Sequence, residues 1–275
     1  MGIFAEVGKT LDRQGLRSLV AIGATAVRGT LLGRRQRFWT DAAGHWVNEE
    51  AEATIVSPII HTARFESYRQ TVLENWAWQY QPQAGDTVID VGAGVGEEAV
   101  VFSKLVGPTG VVVSVEAHPD TFACLRATLE QSRITNVTPI DCAVTDSDGK
   151  VSIDDTDNHL RNSVMKAGGG QSIPSRSLDS LAEELGLGPV ALLKMNIEGA
   201  ERLAVEGMTE LAKRTRHLVI SCHDFISDTG GGKEFRTFDA VRSRVEEMGF
   251  ETCTRADHPA IWTRFYLFAK NRAMT

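Results

Sequence analysis

The chain has 275 residues, of which 42% are hydrophobic and 24% are charged, and its formal net charge is −7 at pH 7. This length and balance predict one principal α/β core with a small addition, and they exclude a disordered, collagen-like or multi-span membrane protein. The negative net charge argues against a nucleic-acid partner, because such binding needs a concentrated positive surface.

Residues 1–40 differ from the rest of the chain in charge. They hold seven basic and two acidic residues, a net charge of +5 that leaves −12 for the remainder. Because apolar residues recur here at loosely helical spacing, we predict a basic helical extension over residues 1–60, followed by a main domain over residues 61–275. We expect residues 1–40 to pack on their own domain, to form a homodimer contact, or to touch a membrane peripherally.

The cysteine pattern and the longest N-terminal apolar run indicate the compartment. The four cysteines are widely separated and lack zinc-ligand spacing, so no disulfide and no metal site are predicted. An acidic stretch at residues 154–157 lacks the glycine and terminal glutamate of a calcium loop and is interpreted as a solvated turn. The apolar run at residues 18–27 is too short to span a bilayer. We therefore expect a cytoplasmic protein, with peripheral membrane attachment left open.

After a predicted helix within residues 54–81, strand and helix patterns alternate from Pro82 onward. Continuous apolar runs predict buried parallel strands at Thr87–Val91, Val111–Glu116, Val137–Cys142, Ala191–Ile197, His217–Cys222 and Ile261–Lys270. Helices are predicted between them at Gly96–Val106, Pro119–Ser132, Ser177–Leu185, Gly199–Arg214 and Glu234–Met248. This alternation predicts a doubly wound, mostly parallel α/β sheet with an antiparallel strand at one edge. Ligands are expected beyond the carboxyl ends of the strands.

Three glycines join the first of these strands to its helix within residues 88–98. Gly92 and Gly94 would let the backbone pass closely against a ligand. The third glycine is Gly96, whereas a dinucleotide fingerprint would place it at the position of Glu97. An acidic side chain at the start of the helix would also repel a pyrophosphate. The loop therefore favours a ligand without phosphates.

Acidic residues lie at the ends of three successive predicted strands. Asp90 would attract a cationic ligand, and Glu116 lies where a carboxylate accepts hydrogen bonds from both ribose hydroxyls. Asp141 is placed to accept from an exocyclic adenine amine. Together these features predict S-adenosylmethionine bound across the strand ends. The predicted cofactor contacts are Asp90, Gly92, Ala93, Gly94, Gly96, Glu116, Ala117, Asp141, Cys142, Ala143 and Asn196.

The most particular motif of the chain is Lys-Met-Asn-Ile-Glu-Gly-Ala-Glu at residues 194–201. Together with the glycine loop and residues 116–119, 143–149 and 177–179, it resembles the FkbM-type methyltransferases. The resemblance covers about residues 65–225, is expected to extend to residue 270, and does not reach the first 60 residues. It implies a Rossmann-like class I methyltransferase fold with a seven-stranded sheet. It also implies methyl transfer from S-adenosylmethionine, generally to a hydroxyl oxygen of a sugar, lipid or secondary metabolite.

Candidate catalytic residues follow the fourth and fifth strands. His223 is the first candidate for a general base, with strand capping or substrate binding as the alternative. Glu198 is the second candidate, either to orient the acceptor, to take its proton, or to cap the next helix. Lys194 and Glu201 are expected to pair structurally. The family usually carries aspartate where this chain has Asn196, and a neutral amide cannot take a proton.

Two other functions stay open at this point. An NAD(P)-dependent oxidoreductase shares the doubly wound sheet, but Asp90, Gly96 and Glu97 oppose it. A non-catalytic cofactor-binding subunit would explain the amide at Asn196. The expected partner is a small-molecule, glycan or lipid acceptor, and the polar residues 159–163 are interpreted either as acceptor contacts or as a solvated loop.

Overall fold

The structure is a computed structural model that describes residues 16–153, 164–165, 171–230, 232 and 235–274. Its strands in chain order are β1 (Arg37–Thr40), β2 (Trp46–Glu49), β3 (Thr54–Ser57), β4 (Thr87–Val91), β5 (Val111–Glu116), β6 (Val137–Asp141), β7 (Ala143–Val144), β8 (Gly149–Ile153), β9 (Val164–Met165), β10 (Gln171–Arg176), β11 (Val190–Met195), β12 (Thr215–Ser221), β13 (Phe250–Cys253) and β14 (Tyr266–Asn271).

Helices connect most of these strands. They are α1 (Arg17–Ala24), α2 (Phe65–Thr71), α3 (Glu97–Val106), α4 (Pro119–Gln131), α5 (Leu178–Glu184), α6 (Glu201–Glu206), α7 (Thr209–Ala212), α8 (Asp224–Asp228) and α9 (Phe238–Glu247). Wider π-helical turns follow α1 at Thr25–Leu31 and α2 at Val72–Trp76, and a 3-10 turn at Ile261–Phe265 precedes β14. Among the described residues, no helix has the length and apolarity needed to cross a bilayer.

Seven strands form the central sheet in the order β13-β14-β12-β11-β4-β5-β6. The five strands from β12 to β6 are parallel, whereas β14 pairs antiparallel with both β12 and β13. The order reverses between β4 and β11, so a crevice is expected beyond the carboxyl ends of these two strands. The predicted doubly wound, mostly parallel seven-stranded sheet is confirmed.

Helices cover both faces of the sheet and bury its apolar strands. Every residue of β11 is buried, as expected for a central parallel strand. Phe102 on α3 and Leu125 on α4 belong to the core of one face. Leu178 on α5 and Val245 on α9 belong to the core of the other. Each large apolar side chain buried in this way contributes roughly 1.5–3 kcal/mol to stability.

Residues 37–57 form a three-stranded antiparallel sheet, β1-β2-β3, so the predicted helical extension is wrong for this segment. Within the predicted extension, helical structure ends at Leu31, with the π turn that follows α1. Aromatic and β-branched residues favour strands here, and the Asp41 carboxylate accepts a hydrogen bond from the His45 N–H across the β1–β2 turn. The predicted helix within residues 54–81 is likewise shorter, because β3 occupies its start.

The β1-β2-β3 sheet packs on α4 of the main domain. Val56 N–H donates to Thr128 Oγ1 at 2.9 Å, and Thr54 N–H donates to Ser132 Oγ at 2.9 Å. Buried side chains of β2 and β3 share the core that α3 and α4 build on the central sheet. The place of the domain boundary stays a prediction.

A second small sheet, in the order β7-β10-β8-β9, begins directly after β6. Its buried residues Ala143, Val151 and Ile173 form a separate apolar cluster against which Ala117 packs. The sheet therefore borders the end of β5 and β6. The acidic stretch at residues 154–157 and the predicted acceptor residues 159–163 lie outside the described residues.

Candidate cofactor and active site

The glycine loop lies at the carboxyl end of β4 and leaves an open space above Gly94. Gly92, Gly94 and Gly96 have φ angles of 76°, 57° and 93°, which glycine adopts at least cost. A Cβ atom at Gly92 would lie 2.0 Å from the Asn196 carbonyl oxygen, so the loop is closed toward β11. At Gly94, a Cβ would meet only Glu97 Oε2, at 3.9 Å, among the described neighbours. This space is a cradle that a side chain would fill.

Glu116 ends β5 and is hydrogen-bonded to the loop. Its Oε2 accepts from Gly94 N–H at 2.9 Å, and its Oε1 accepts from His118 N–H at 2.9 Å. Burial raises the pKa of Glu116 to about 7, although these two donors oppose the shift. A carboxylate has about four acceptor sites, so Glu116 can still accept a hydrogen bond from a ribose hydroxyl.

Asp141 lies beside Glu116, because the two residues are paired in the β5–β6 register. Asp141 is exposed, and partial burial of its carboxyl raises its pKa. The structure thus brings two of the three predicted carboxylates together at adjacent strand ends.

Asp90 was predicted to receive a cationic ligand, and the structure gives it a cationic partner within the chain instead. It is fully buried, and its Oδ1 lies 2.8 Å from Lys194 Nζ. The two residues are neighbours because they are paired in the β4–β11 register. Lys194 therefore meets Asp90 and not Glu201, so the expected Lys194–Glu201 pair is wrong.

Lys194 is the centre of a buried group that we call the lysine cluster, made of Asp90, Glu98, Lys194, Trp76 and the Gly92 carbonyl. Lys194 Nζ lies 3.0 Å from Glu98 Oε2 and donates to the Gly92 carbonyl oxygen at 2.8 Å. It also lies 5.1 Å from the centre of the Trp76 ring. Burial alone would lower the pKa of Lys194, but the two carboxylates raise it overall. The cluster stabilises the glycine loop through the hydrogen bond from Lys194 to the Gly92 carbonyl oxygen.

His223 follows β12 and is held by a buried carboxylate. Its Nδ1 lies 2.6 Å from Glu201 Oε1. Glu201 is fully buried and accepts further hydrogen bonds from Gly199 N–H at 3.1 Å and Thr237 Oγ1 at 3.0 Å. We call Glu201, His223 and Thr237 the histidine cluster.

The hydrogen bond to Glu201 assigns a tautomer to His223. A carboxylate can only accept, so the Nδ1 atom carries the proton and Nε2 keeps a free lone pair when the imidazole is neutral. This arrangement is the one that a general base needs. Glu201 was not predicted as the partner of His223, although it is part of the motif at residues 194–201.

Asn196 and Glu198 lie in the turn between β11 and α6. Asn196 N–H donates to the Val91 carbonyl at 2.9 Å, which places the residue beside the glycine loop. Glu198 has a φ angle of 29°, unusual for a residue other than glycine, and Gly199 follows with 95°. Backbone strain of this kind concentrates at functional sites.

Four predicted contacts have apolar side chains that pack in the core or on the second small sheet. Ala93, Cys142 and Ala143 are 3%, 2% and 1% exposed within apolar cores, and Ala117 packs on the second small sheet. Only their backbone atoms remain as candidate contacts. Gly96 is likewise covered, because a Cβ there would lie 2.7 Å from Leu125 Cδ1.

The groups at this edge fit a sulfonium nucleoside. The space above Gly94 admits a ligand close to the backbone, and Glu116 offers acceptor lone pairs. Glu97 Oε2 is shut off from solvent and has no hydrogen-bond partner among the described residues. A pyrophosphate would meet this carboxyl group, whereas a positively charged ligand would satisfy it.

The family description that matches the chain is "Methyltransferase FkbM domain", over residues 90–252. A solved FkbM methyltransferase from Methylobacillus flagellatus KT is similar in fold, with a TM-score of 0.52 and 16% identity over 74% of this chain and 47% of that chain. The fibrillarin of Aeropyrum pernix, solved with natively bound S-adenosyl-L-methionine, has a TM-score of 0.45 and 14% identity over 82% of this chain and 93% of that one.

A short segment also matches a curated protein. Over 56 residues, 20% of this chain, it is 45% identical to a protein-L-isoaspartate O-methyltransferase from Methanothrix thermoacetophila, of which 27% is covered. The chain thus spans about half the length of the solved FkbM relative and about a quarter of the curated one. Because the FkbM match covers more than half of the chain, the protein belongs to the FkbM methyltransferase family.

Proposed function

We propose that the protein is an S-adenosylmethionine-dependent O-methyltransferase that acts on a hydroxyl group of a small-molecule, glycan or lipid acceptor. The observation that carries this proposal is the hydrogen bond between the Glu116 carboxylate and Gly94 N–H. This bond joins the carboxylate that would bind the ribose hydroxyls to the open glycine loop, where the strand order of the sheet reverses. Family membership supports methyl transfer as the reaction.

The chain would hold the cofactor across three strand ends. Glu116 accepts from the ribose hydroxyls, and Asp141 accepts from the adenine amine. Gly92 and Gly94 allow close approach of the backbone, and Asn196 borders the loop from β11. When bound, S-adenosylmethionine supplies an electrophilic methyl group on a sulfonium centre.

The histidine cluster would remove the acceptor proton. His223 Nε2 takes the proton from the hydroxyl group, and Glu201 stabilises the resulting imidazolium through Nδ1. A positioned base contributes about 10²- to 10⁴-fold, and alignment of the reacting atoms supplies up to about 7–11 kcal/mol. Glu198 would orient the acceptor from the neighbouring turn.

The experiment is transfer of label from methyl-labelled S-adenosylmethionine to a panel of sugar, lipid and phenol acceptors. The proposal expects labelled methyl ethers, with transfer strongly reduced by His223→Ala. Transfer to nitrogen or carboxylate acceptors only would contradict it. Cofactor binding without any product would favour the non-catalytic alternative, and NAD-dependent oxidation of the same acceptors would favour the oxidoreductase.

For the N-terminal segment, we propose a homodimer contact through α1 and the turn that follows it. Leu19, Ile22 and Leu31 are 64%, 66% and 78% exposed, and Arg34 and Arg35 next to them are exposed too. Light scattering should give a dimer that Ile22→Glu dissociates. A monomer that sediments with anionic vesicles would instead support peripheral membrane contact.

A further inference from the structure

Glu97 is a half-buried residue whose carboxyl group the proposed reaction does not yet use. It is the first residue of α3, directly after the glycine loop. Its Oε2 is shut off from solvent and has no hydrogen-bond partner among the described residues. The same atom lies 3.9 Å from the position that a Cβ at Gly94 would take, so it borders the open space of the cradle.

The charges around Glu97 do not balance. Asp90 on β4 and Glu98 on α3 both contact Lys194 of β11, which leaves Glu97 without a direct cationic partner in the described part of the chain. Tyr68 on α2 is close enough to interact electrostatically with Glu97, and it adds no positive charge. Burial and the neighbouring Glu98 raise the pKa of Glu97 to about 7. A cation entering the cradle would supply the missing charge.

The predicted cofactor contacts, taken in the order of their strands, would put a cationic group of the ligand near Glu97. With the adenine at Asp141 on β6 and the ribose at Glu116 on β5, the next part of the ligand lies over β4, where the glycine loop begins. The part of S-adenosylmethionine beyond the ribose is the sulfonium centre and then the amino-acid end. Gly94 N–H binds Glu116, and Glu97 Oε2 lies 3.9 Å from the position that a Cβ at Gly94 would take. A ligand whose ribose is bound by Glu116 would therefore bring its amino-acid end close to Glu97.

We propose that Glu97, and not Asp90, accepts the α-ammonium group of the cofactor's amino-acid end. This assignment rests on the proposed function. It adds a specificity role, because the same carboxylate opposes a dinucleotide, whose pyrophosphate would lie against an uncompensated negative charge.

The test is calorimetric titration of wild type and Glu97→Gln with three ligands. S-adenosylmethionine and S-adenosylhomocysteine carry the ammonium group, whereas methylthioadenosine lacks the amino-acid end. Loss of a charge-assisted hydrogen bond is expected to weaken the first two ligands about 10- to 100-fold. Methylthioadenosine should bind both proteins equally. Glu97→Asp, which keeps the charge, should bind S-adenosylmethionine more tightly than Glu97→Gln does.

The control variant is Glu130→Gln, which removes the same charge from an exposed position of α4 and should change no affinity. Equal binding of S-adenosylmethionine by wild type and Glu97→Gln would overturn the assignment. So would weakening of S-adenosylmethionine alone, since that would place the contact at the sulfonium, or equal weakening of all three ligands. If wild type binds none of the three, the proposed function itself fails.

Discussion

The lysine cluster and the histidine cluster flank the same strand end but differ in charge balance. In the first, Lys194 meets two carboxylates and leaves Glu97 nearby without a cation. In the second, one carboxylate, Glu201, faces one imidazole, His223. The surplus of negative charge suits the binding of a cationic ligand, whereas the paired imidazole suits proton transfer. Residues 194–201 contribute Lys194 to the first cluster and Glu201 to the second.

Filling the cradle should have the largest effect. A side chain at Gly94 projects into the open space, so Gly94→Trp should remove detectable binding of S-adenosylmethionine in calorimetry. The matched control is Gly186→Trp, because Gly186 has a φ angle of 58° and open space around it but lies after α5. The strain of the left-handed backbone is then similar in both variants, about 1–2 kcal/mol. Binding that survives in Gly94→Trp would refute the assigned cradle.

Removing the base should separate catalysis from binding. His223→Ala should lower turnover about 10²- to 10⁴-fold, because no base then takes the proton from the substrate hydroxyl group. The Kd of S-adenosylmethionine should stay near that of wild type. Glu201→Gln should lower turnover less, since the imidazole remains but loses its carboxylate partner. Unchanged turnover of His223→Ala, measured under saturating cofactor, would remove His223 as the base.

The lysine cluster should matter first for stability. Lys194→Met leaves Asp90 and Glu98 buried without their cation, which typically costs about 3–5 kcal/mol in the free energy of unfolding. Lys213→Met is the control, because its ion pair with Glu210 is exposed and worth about 0–1 kcal/mol. Urea unfolding of both variants measures the difference. Equal losses would show that the buried cluster is not stabilising.

The effect of pH should be the smallest of the four. Glu116 and Glu97 both have pKa values of about 7 in the ligand-free site, and the ligand is expected to bind their ionised forms. Affinity is therefore highest above pH 7 and falls as pH decreases through 7. Between pH 8 and pH 6 each carboxyl group should weaken S-adenosylmethionine about tenfold. Glu97→Gln should retain only the dependence due to Glu116, and a flat profile for wild type would contradict this account.

The central sheet could be predicted from the sequence because its strands are continuous apolar runs. The bounds of β4 and β5 agree with the prediction to the residue. The segment at residues 37–57 could not be assigned in the same way, because its strands have four residues each and lack a long apolar run. The turn at Asp41 was the available signal.

The positions of the candidate site residues follow from the sequence more readily than their partners do. Strand-end residues such as Glu116 and Asp141 follow from chain order, because parallel strands end at one edge. The partner of Asp90 depends instead on the β4–β11 register, and that of His223 on how α6 returns to the sheet. Asp90 and Lys194 are paired across a long stretch of chain, and Glu201 and His223 are 22 positions apart, so local sequence patterns do not contain these pairings.

The most direct test of the central claim is a calorimetric titration of the wild-type protein with S-adenosylmethionine and, separately, with NAD at pH 8. We predict that one S-adenosylmethionine binds per chain with a micromolar Kd and that NAD gives no measurable heat. Micromolar binding of NAD without binding of S-adenosylmethionine would contradict it.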